Sequence, residues 1–230
     1  MADALHDTTW VLTAPVEAPD GVEVTVVFSS DGVSGYAGCN RFSGTYTYDD
    51  GSLSFGTLAS TMRACADDAM TLEREVLRRL ALVGRATCNA GVLTLLDAGD
   101  ELLLEFRSQT AAELEGDWVV NGIHYPEREA IISVRGELSV GIREGRISGH
   151  SGCNRFAGGF TVAGEAVSIG PLMGTRMFCD DPDAGSGPSI MEQEAALLAA
   201  LEHAAGYRLE GSRLTFVRPD GGISVSLHRA

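Results

Sequence analysis

A twelve-residue stretch, GYAGCNRFSGTY from Gly35 to Tyr46, returns 114 positions later as GHSGCNRFAGGF from Gly149 to Phe160. The echo runs past the phrase. At the same offset Thr61-Met62-Arg63-Ala64-Cys65 falls on Thr175-Arg176-Met177-Phe178-Cys179, and Tyr48, Leu53 and Phe55 fall on Val162, Val167 and Ile169. An offset of 119 sets Glu73 and Glu75 against Glu192 and Glu194. An offset of 121 sets Leu93 against Leu214 and Phe106 against Leu227, and one of 108 sets Trp10 against Trp118. Small insertions that change register but not order mark a tandem duplication. Two copies are too few for a solenoid, which needs three or more repeats, so they predict two domains. The polar stretch SQTAAELEG (Ser108 to Gly116) is the expected joint, giving domains 1–110 and 111–230.

Each copy has the same internal order. Val22, Val24, Val26 and Phe28 alternate with other residues and are followed by Ser29-Ser30-Asp31-Gly32, which predicts a strand and a turn. Thr45 to Tyr48 and Ser52 to Phe55 flank Asp49-Asp50-Gly51 as a hairpin. Val92 to Leu96 and Glu101 to Phe106 do the same around Asp97 to Asp100. About eight strands are expected per copy. One segment changes period: Leu72, Val76, Leu80 and Val83 share a helical face with Arg74, Glu75, Arg78 and Arg79 opposite. Its counterpart groups Ile190, Leu197, Leu198 and Leu201, and Ser189 with Glu192 forms a capping box. Short strands with one helix predict a mainly β fold: two tandem small antiparallel β-barrels, each plugged by an amphipathic α-helix. Closure removes the sheet edges, and the helix needs a surface on which to bury its stripe.

Charge and composition limit the partners. A net charge of −15 repels a phosphate backbone, so nucleic acid is not expected. No run approaches the roughly 20 apolar residues of a membrane span. The N-terminus MADALHDTTW has neither a basic start nor an apolar core, so as written the chain reads as cytoplasmic, or as envelope-located or secreted if a leader has been removed.

The order Trp10, then G-C-N-R-F-x-G-x-Y (Gly38 to Tyr46), then S-T-M-R-A-C (Ser60 to Cys65), then a Glu-bearing helix and a closing L-T-L (Leu93 to Leu95), resembles the META domain of HslJ-like heat-inducible bacterial proteins. The second copy is similar through Trp118, G-C-N-R-F-x-G-x-F (Gly152 to Phe160) and G-T-R-M-F-C (Gly174 to Cys179). The resemblance covers nearly the whole chain. It implies a small β-barrel with a helix and a heat-shock or cell-envelope setting, and it implies no particular reaction. Many members are exported or lipid-anchored, whereas this sequence shows no leader and no lipobox cysteine.

The residues of the phrase read first as architecture. Gly38, Gly44, Gly152 and Gly158 stand where backbone bends or approaches closely. Asn40 and Asn154 suit a left-handed residue or a side chain that satisfies loop amides. Arg41 and Arg155 are expected to pair with a carboxylate or with carbonyls, a ligand contact being the alternative. Trp10, Trp118, Phe42 and Phe156 are expected in the core. Cys39 and Cys65 are 26 apart, as are Cys153 and Cys179, while Cys88 matches Leu209. Residues kept at matching places are expected to meet, as disulfides in an oxidising compartment or as buried thiol pairs in a reducing one.

Sites for chemistry are sparse. His150 lies near Cys153, but its counterpart is Tyr36, which rules out a duplicated zinc site. Asp181, Asp183 and Glu192 occupy positions one, three and twelve of a calcium loop, yet Gly185 and Ser186 fall where a ligand and the turn glycine belong, and the first copy has no such loop. The loop is read as a solvated insertion, and no metal or cofactor is expected. The favoured function is a non-enzymatic protein whose barrels bind an unidentified protein or small molecule in a stress or envelope role. The alternatives are a small-ligand carrier using a barrel cavity, and a hydrolase or thiol oxidoreductase with a site present in one copy only.

Overall fold

The computed structural model describes Leu5, residues 8–180 and residues 187–230. Asp181, Asp183, Gly185 and Ser186 of the acidic loop lie outside the described residues. The chain divides into two compact units, Met1–Thr110 and Ala111–Ala230.

The first unit opens with the strands β1 (Thr9–Ala14), β2 (Val24–Ser29), β3 (Gly32–Ala37), β4 (Arg41–Gly44), β5 (Tyr46–Asp49), β6 (Ser52–Phe55) and the two-residue β7 (Ala59–Ser60). Helix α1 (Asp67–Leu80) follows, then β8 (Arg85–Asn89), β9 (Val92–Leu96) and β10 (Leu102–Ser108). The β5–β6 hairpin turns through Asp50 and Gly51, both at positive φ, as its Asp-Asp-Gly predicts. Hydrogen bonding runs β5-β6-β8-β9-β10-β1-β2-β3-β4-β7 without a parallel step. The path's β5 and β4 are consecutive in the chain, joined through Thr45 alone.

The second unit repeats the plan with β11 (Gly116–Tyr125), β12 (Ala130–Ser133), β13 (Ser139–Arg143), β14 (Arg146–His150), β15 (Arg155–Ala163), β16 (Ala166–Ile169), β17 (Met173–Gly174), helix α2 (Ile190–Glu202), β18 (Gly206–Glu210), β19 (Arg213–Val217) and β20 (Ile223–Arg229). Here β4 and β5 have one unbroken counterpart, β15, whose first half pairs β14 and whose second half pairs β16. Because β11 pairs both β13 and β20, eight strands close into a ring. Strand β12 has no counterpart among the described residues of the first unit and extends the sheet beside β11.

Each unit buries its own core. Trp10, Phe28, Phe42, Leu93 and Phe106 gather in the first, and Trp118, Phe156, Phe216 and Leu227 in the second. Helix α1 presents Ala69, Leu72, Val76 and Leu80 inward. On its outer face Glu75 accepts hydrogen bonds from Arg78 and Arg79, which hold its carboxyl at about 2, below the usual carboxylate range. Helix α2 starts at the predicted Ser189–Glu192 capping box. Its inward face differs from the expected stripe. Leu197 and Leu201 are buried, but Gln193, Glu194 and Ala200 share their face while Ile190 and Leu198 are only half-buried. The helix is rotated because two of its polar side chains have buried partners: the Gln193 amide exchanges hydrogen bonds with the Arg135 backbone, and Glu194 reaches the repeated asparagine.

The glycine that opens each echoed stretch stands where the neighbouring strand leaves no room for a side chain. A Cβ on Gly35 would run into the Thr25 carbonyl oxygen and meet the Phe42 ring at 2.7 Å. One on Gly149 would run into the Ser139 carbonyl oxygen and meet the Phe156 ring at 2.8 Å. Backbone cannot yield as a flexible side chain can. Gly149→Ala should therefore destabilise the second unit by about 2–3 kcal/mol, measured by urea denaturation. Gly159→Ala, where nothing lies within 4 Å of the added carbon, should stay within roughly 0.5 kcal/mol of the parent.

Candidate functional site

The repeated phrase forms a corner between β3 and β4, and its equivalent lies between β14 and β15. Gly38 and Gly152 turn the chain at φ 106° and 103°, a left-handed region that a Cβ would strain. The asparagine two positions on is not itself left-handed. It works through its side chain. Asn40 Oδ1 accepts from the Arg63 backbone N–H at 2.7 Å and from the Thr61 hydroxyl at 2.8 Å. Its Nδ2 donates to the Arg63 carbonyl at 3.2 Å. Asn154 repeats each contact, accepting from Met177 N–H at 2.8 Å and Thr175 Oγ1 at 2.7 Å and donating to the Met177 carbonyl at 3.0 Å. One amide thus holds a segment 23 residues further on, as a paired strand would.

A helix carboxylate completes each corner. Glu73 of α1 accepts from Asn40 N–H at 2.7 Å and from Asn40 Nδ2 at 3.0 Å. Glu194 of α2 accepts from Asn154 N–H and Nδ2, both at 3.0 Å. This pairing corrects the expected alignment of the helices: Glu73 corresponds to Glu194, at the offset of 121 that also relates the closing strands. Glu192, which the 119 offset set against Glu73, is the N3 residue of the capping box, accepting from the backbone N–H of the cap Ser189. The second corner carries one more donor, the buried Ser151 hydroxyl at 2.5 Å from Glu194, where the first copy has Ala37.

The four duplicated cysteines close both corners covalently. Cys39 is bonded to Cys65 and Cys153 to Cys179, each with Cα atoms 5.9 Å apart. Cys88 is the free cysteine, half-buried on β8. Since Cys153 is committed to a disulfide, its sulfur is no metal ligand for His150, whose Nδ1 instead accepts from Gly152 N–H at 3.2 Å. Among the described residues no three His, Cys, Asp or Glu side chains gather as metal ligands do.

The other residues of the motif are placed as follows. Gly44 and Gly158 let the following segment cross close by: a Cβ would meet the Thr57 carbonyl oxygen at 2.7 Å in one copy and the Leu172 side chain at 2.7 Å in the other. The Arg41 and Arg155 side chains are exposed, while their backbone N–H groups donate to Thr61 and Thr175 hydroxyls at 3.2 Å. Trp10, Trp118, Phe42 and Phe156 are core residues.

What the corner holds is an exposed loop. Met62 is 98% exposed in the first copy. In the second, Met177 is 58% and Phe178 82% exposed, and Met173 on the adjoining strand β17 is 76% exposed. An arginine accompanies them in each, Arg63 and Arg176, likewise exposed. The order is swapped, Met-Arg in one copy and Arg-Met in the other. In both, the backbone that is gripped sits at the second of those two positions. Sequence reasoning missed Glu73 and Glu194 as partners of the asparagines. Their signal was the single glutamate that each helix places on its buried face.

Comparison with known proteins agrees with the duplication. A sequence profile described as META domain matches residues 3–110 and again residues 112–229. A protein from Burkholderia xenovorans with an NMR structure is 30% identical, over 47% of this chain and 86% of that one, with a TM-score of 0.41. A second NMR structure is 26% identical, over 46% of this chain and 93% of that one, with a TM-score of 0.39. A search of curated proteins finds no match.

Proposed function

The chain belongs to the META domain family, in two tandem copies, and from that premise we propose that it is a non-enzymatic interaction protein which meets a partner through its two stapled loops. The observation that carries this reading is the exposure of Met62, Met177 and Phe178 on segments fixed by a disulfide and an asparagine. Large apolar side chains on a flexible loop can fold back onto the barrel. On a fixed loop they stay in water until a partner covers them, and a loop ordered in advance loses less entropy on binding. The repeated polar groups are already in use: both Asn40 amide atoms and the Glu73 carboxylate hold the loop, as do their counterparts, which supports a holding role over catalysis. The core of each unit is filled by aromatic and aliphatic side chains, which favours the loops over the interior as the contact. Two disulfides suit an oxidising compartment such as the cell envelope. No helix among the described residues is long and apolar enough to cross a membrane.

A benzophenone amino acid placed at position 62 or 178 in the host cell tests this. Both positions should give a discrete adduct with the same partner, at least about fivefold above the yield from Thr47 or Thr161 on the exposed strand faces. Equal yields from all four positions would remove the reading.

A further inference from the structure

We propose that Met62, in the first unit, and Met173 and Met177, in the second, are separate sites of reversible sulfur oxidation that regulate the surfaces on which they stand. Five methionines are described. Met62 and Met177 on the loops are 98% and 58% exposed and Met173 on the adjoining strand β17 is 76% exposed, while Met70 and Met191 are half-buried in the first turn of α1 and α2. Reaction of a thioether depends on access to its sulfur. The sulfur lone pair attacks the O–O bond of a hydroperoxide and takes one oxygen. The O–O bond breaks, and the other oxygen leaves with a proton as water or an alcohol. Sulfur is oxidised by two electrons and the peroxide reduced by two. A dithiol reductase reverses the step: two thiols give up two electrons and two protons, the sulfoxide oxygen leaves as water, and a disulfide forms.

The anchors of the loops are indifferent to this chemistry. Their cysteines are already bonded, and the asparagines grip the backbone of Arg63 and Met177 rather than a thioether. Oxidation therefore changes the surface from apolar to polar while leaving the loop in place. The consequence for binding rests on the proposed loop contact; the order of oxidation does not.

The test treats purified protein with hydrogen peroxide and follows each methionine by peptide mass spectrometry. These three exposed methionines should oxidise at least about tenfold faster than Met70 and Met191, with Tm unchanged while they do so. Rates within twofold of one another, or a Tm that falls in step with Met62 oxidation, would overturn the sites. A second arm uses the benzophenone at position 178, which leaves all three methionines in place. Oxidation should lower the adduct yield at least about fivefold, and methionine sulfoxide reductase should restore it. An unchanged yield, or a loss that the reductase does not reverse, would overturn the regulation while leaving the loop contact itself standing.

Discussion

Removing the Cys39–Cys65 disulfide, as the double variant Cys39→Ala with Cys65→Ala, should cost the first unit about 3.5 kcal/mol of stability. That figure is the denatured-state entropy restricted by a bond of sequence separation 26. The Cys153–Cys179 bond closes a loop of the same length, so its removal should cost the second unit about as much. For units of this size the change corresponds to a fall of roughly 10–20 °C in Tm. Differential scanning calorimetry of each double variant and of the reduced parent checks it. Cys88→Ala, which breaks no bond, serves as the control. A loss under about 1 kcal/mol would mean that the hydrogen bonds alone hold the loop in place. The crosslinking yield at position 62 then separates stability from function. If the rigid loop is what the partner meets, the yield should fall in the Cys39→Ala, Cys65→Ala protein even at a temperature where the barrel stays folded.

Asn154→Ala should cost the second unit about 3 kcal/mol, because it removes donors and acceptors whose partners stay behind in the protein. The Met177 N–H and the Thr175 hydroxyl lose their acceptor, and the buried Glu194 carboxylate loses the Nδ2 donor. The remaining Asn154 N–H contact survives in the alanine variant, as does the Ser151 hydroxyl. Asn40→Ala should cost the first unit less, since Glu73 is only half-buried and water can replace part of what is lost. Urea denaturation of the two single variants tests the order. A larger loss at Asn40 than at Asn154 would contradict the weight placed on burial of the carboxylate.

Much of the fold is legible in the chain because its signals are local or duplicated. Alternation at Val24, Val26 and Phe28 reads out a strand, and Asp49-Asp50-Gly51 reads out a hairpin turn. The shift of period at Leu72, Val76 and Leu80 reads out a helix. Duplication adds what one copy could not, since cysteines that recur at the same separation in both halves point to each other. The face of α2 was harder. Hydrophobicity places Ile190 and Leu198 inward, and between them on that face falls Glu194, a charged residue whose burial depends on an amide 40 residues earlier. The helices also sit behind insertions of unequal length, so aligning glutamate on glutamate was ambiguous until hydrogen bonds chose between Glu192 and Glu194.

By itself the sequence determined that there are two equivalent units, that each is a meander of short strands with one helix, and which cysteines correspond. Those properties follow from periodicity and repetition, which residue order records directly. Only the tertiary structure decided that Asn40 and Asn154 bind a distant segment and a helix carboxylate, that β11 closes one ring by pairing on both edges, and that Met62, Met177 and Phe178 face water. Each of these depends on which groups meet across the fold, and contact between residues far apart in the chain leaves no period in the sequence.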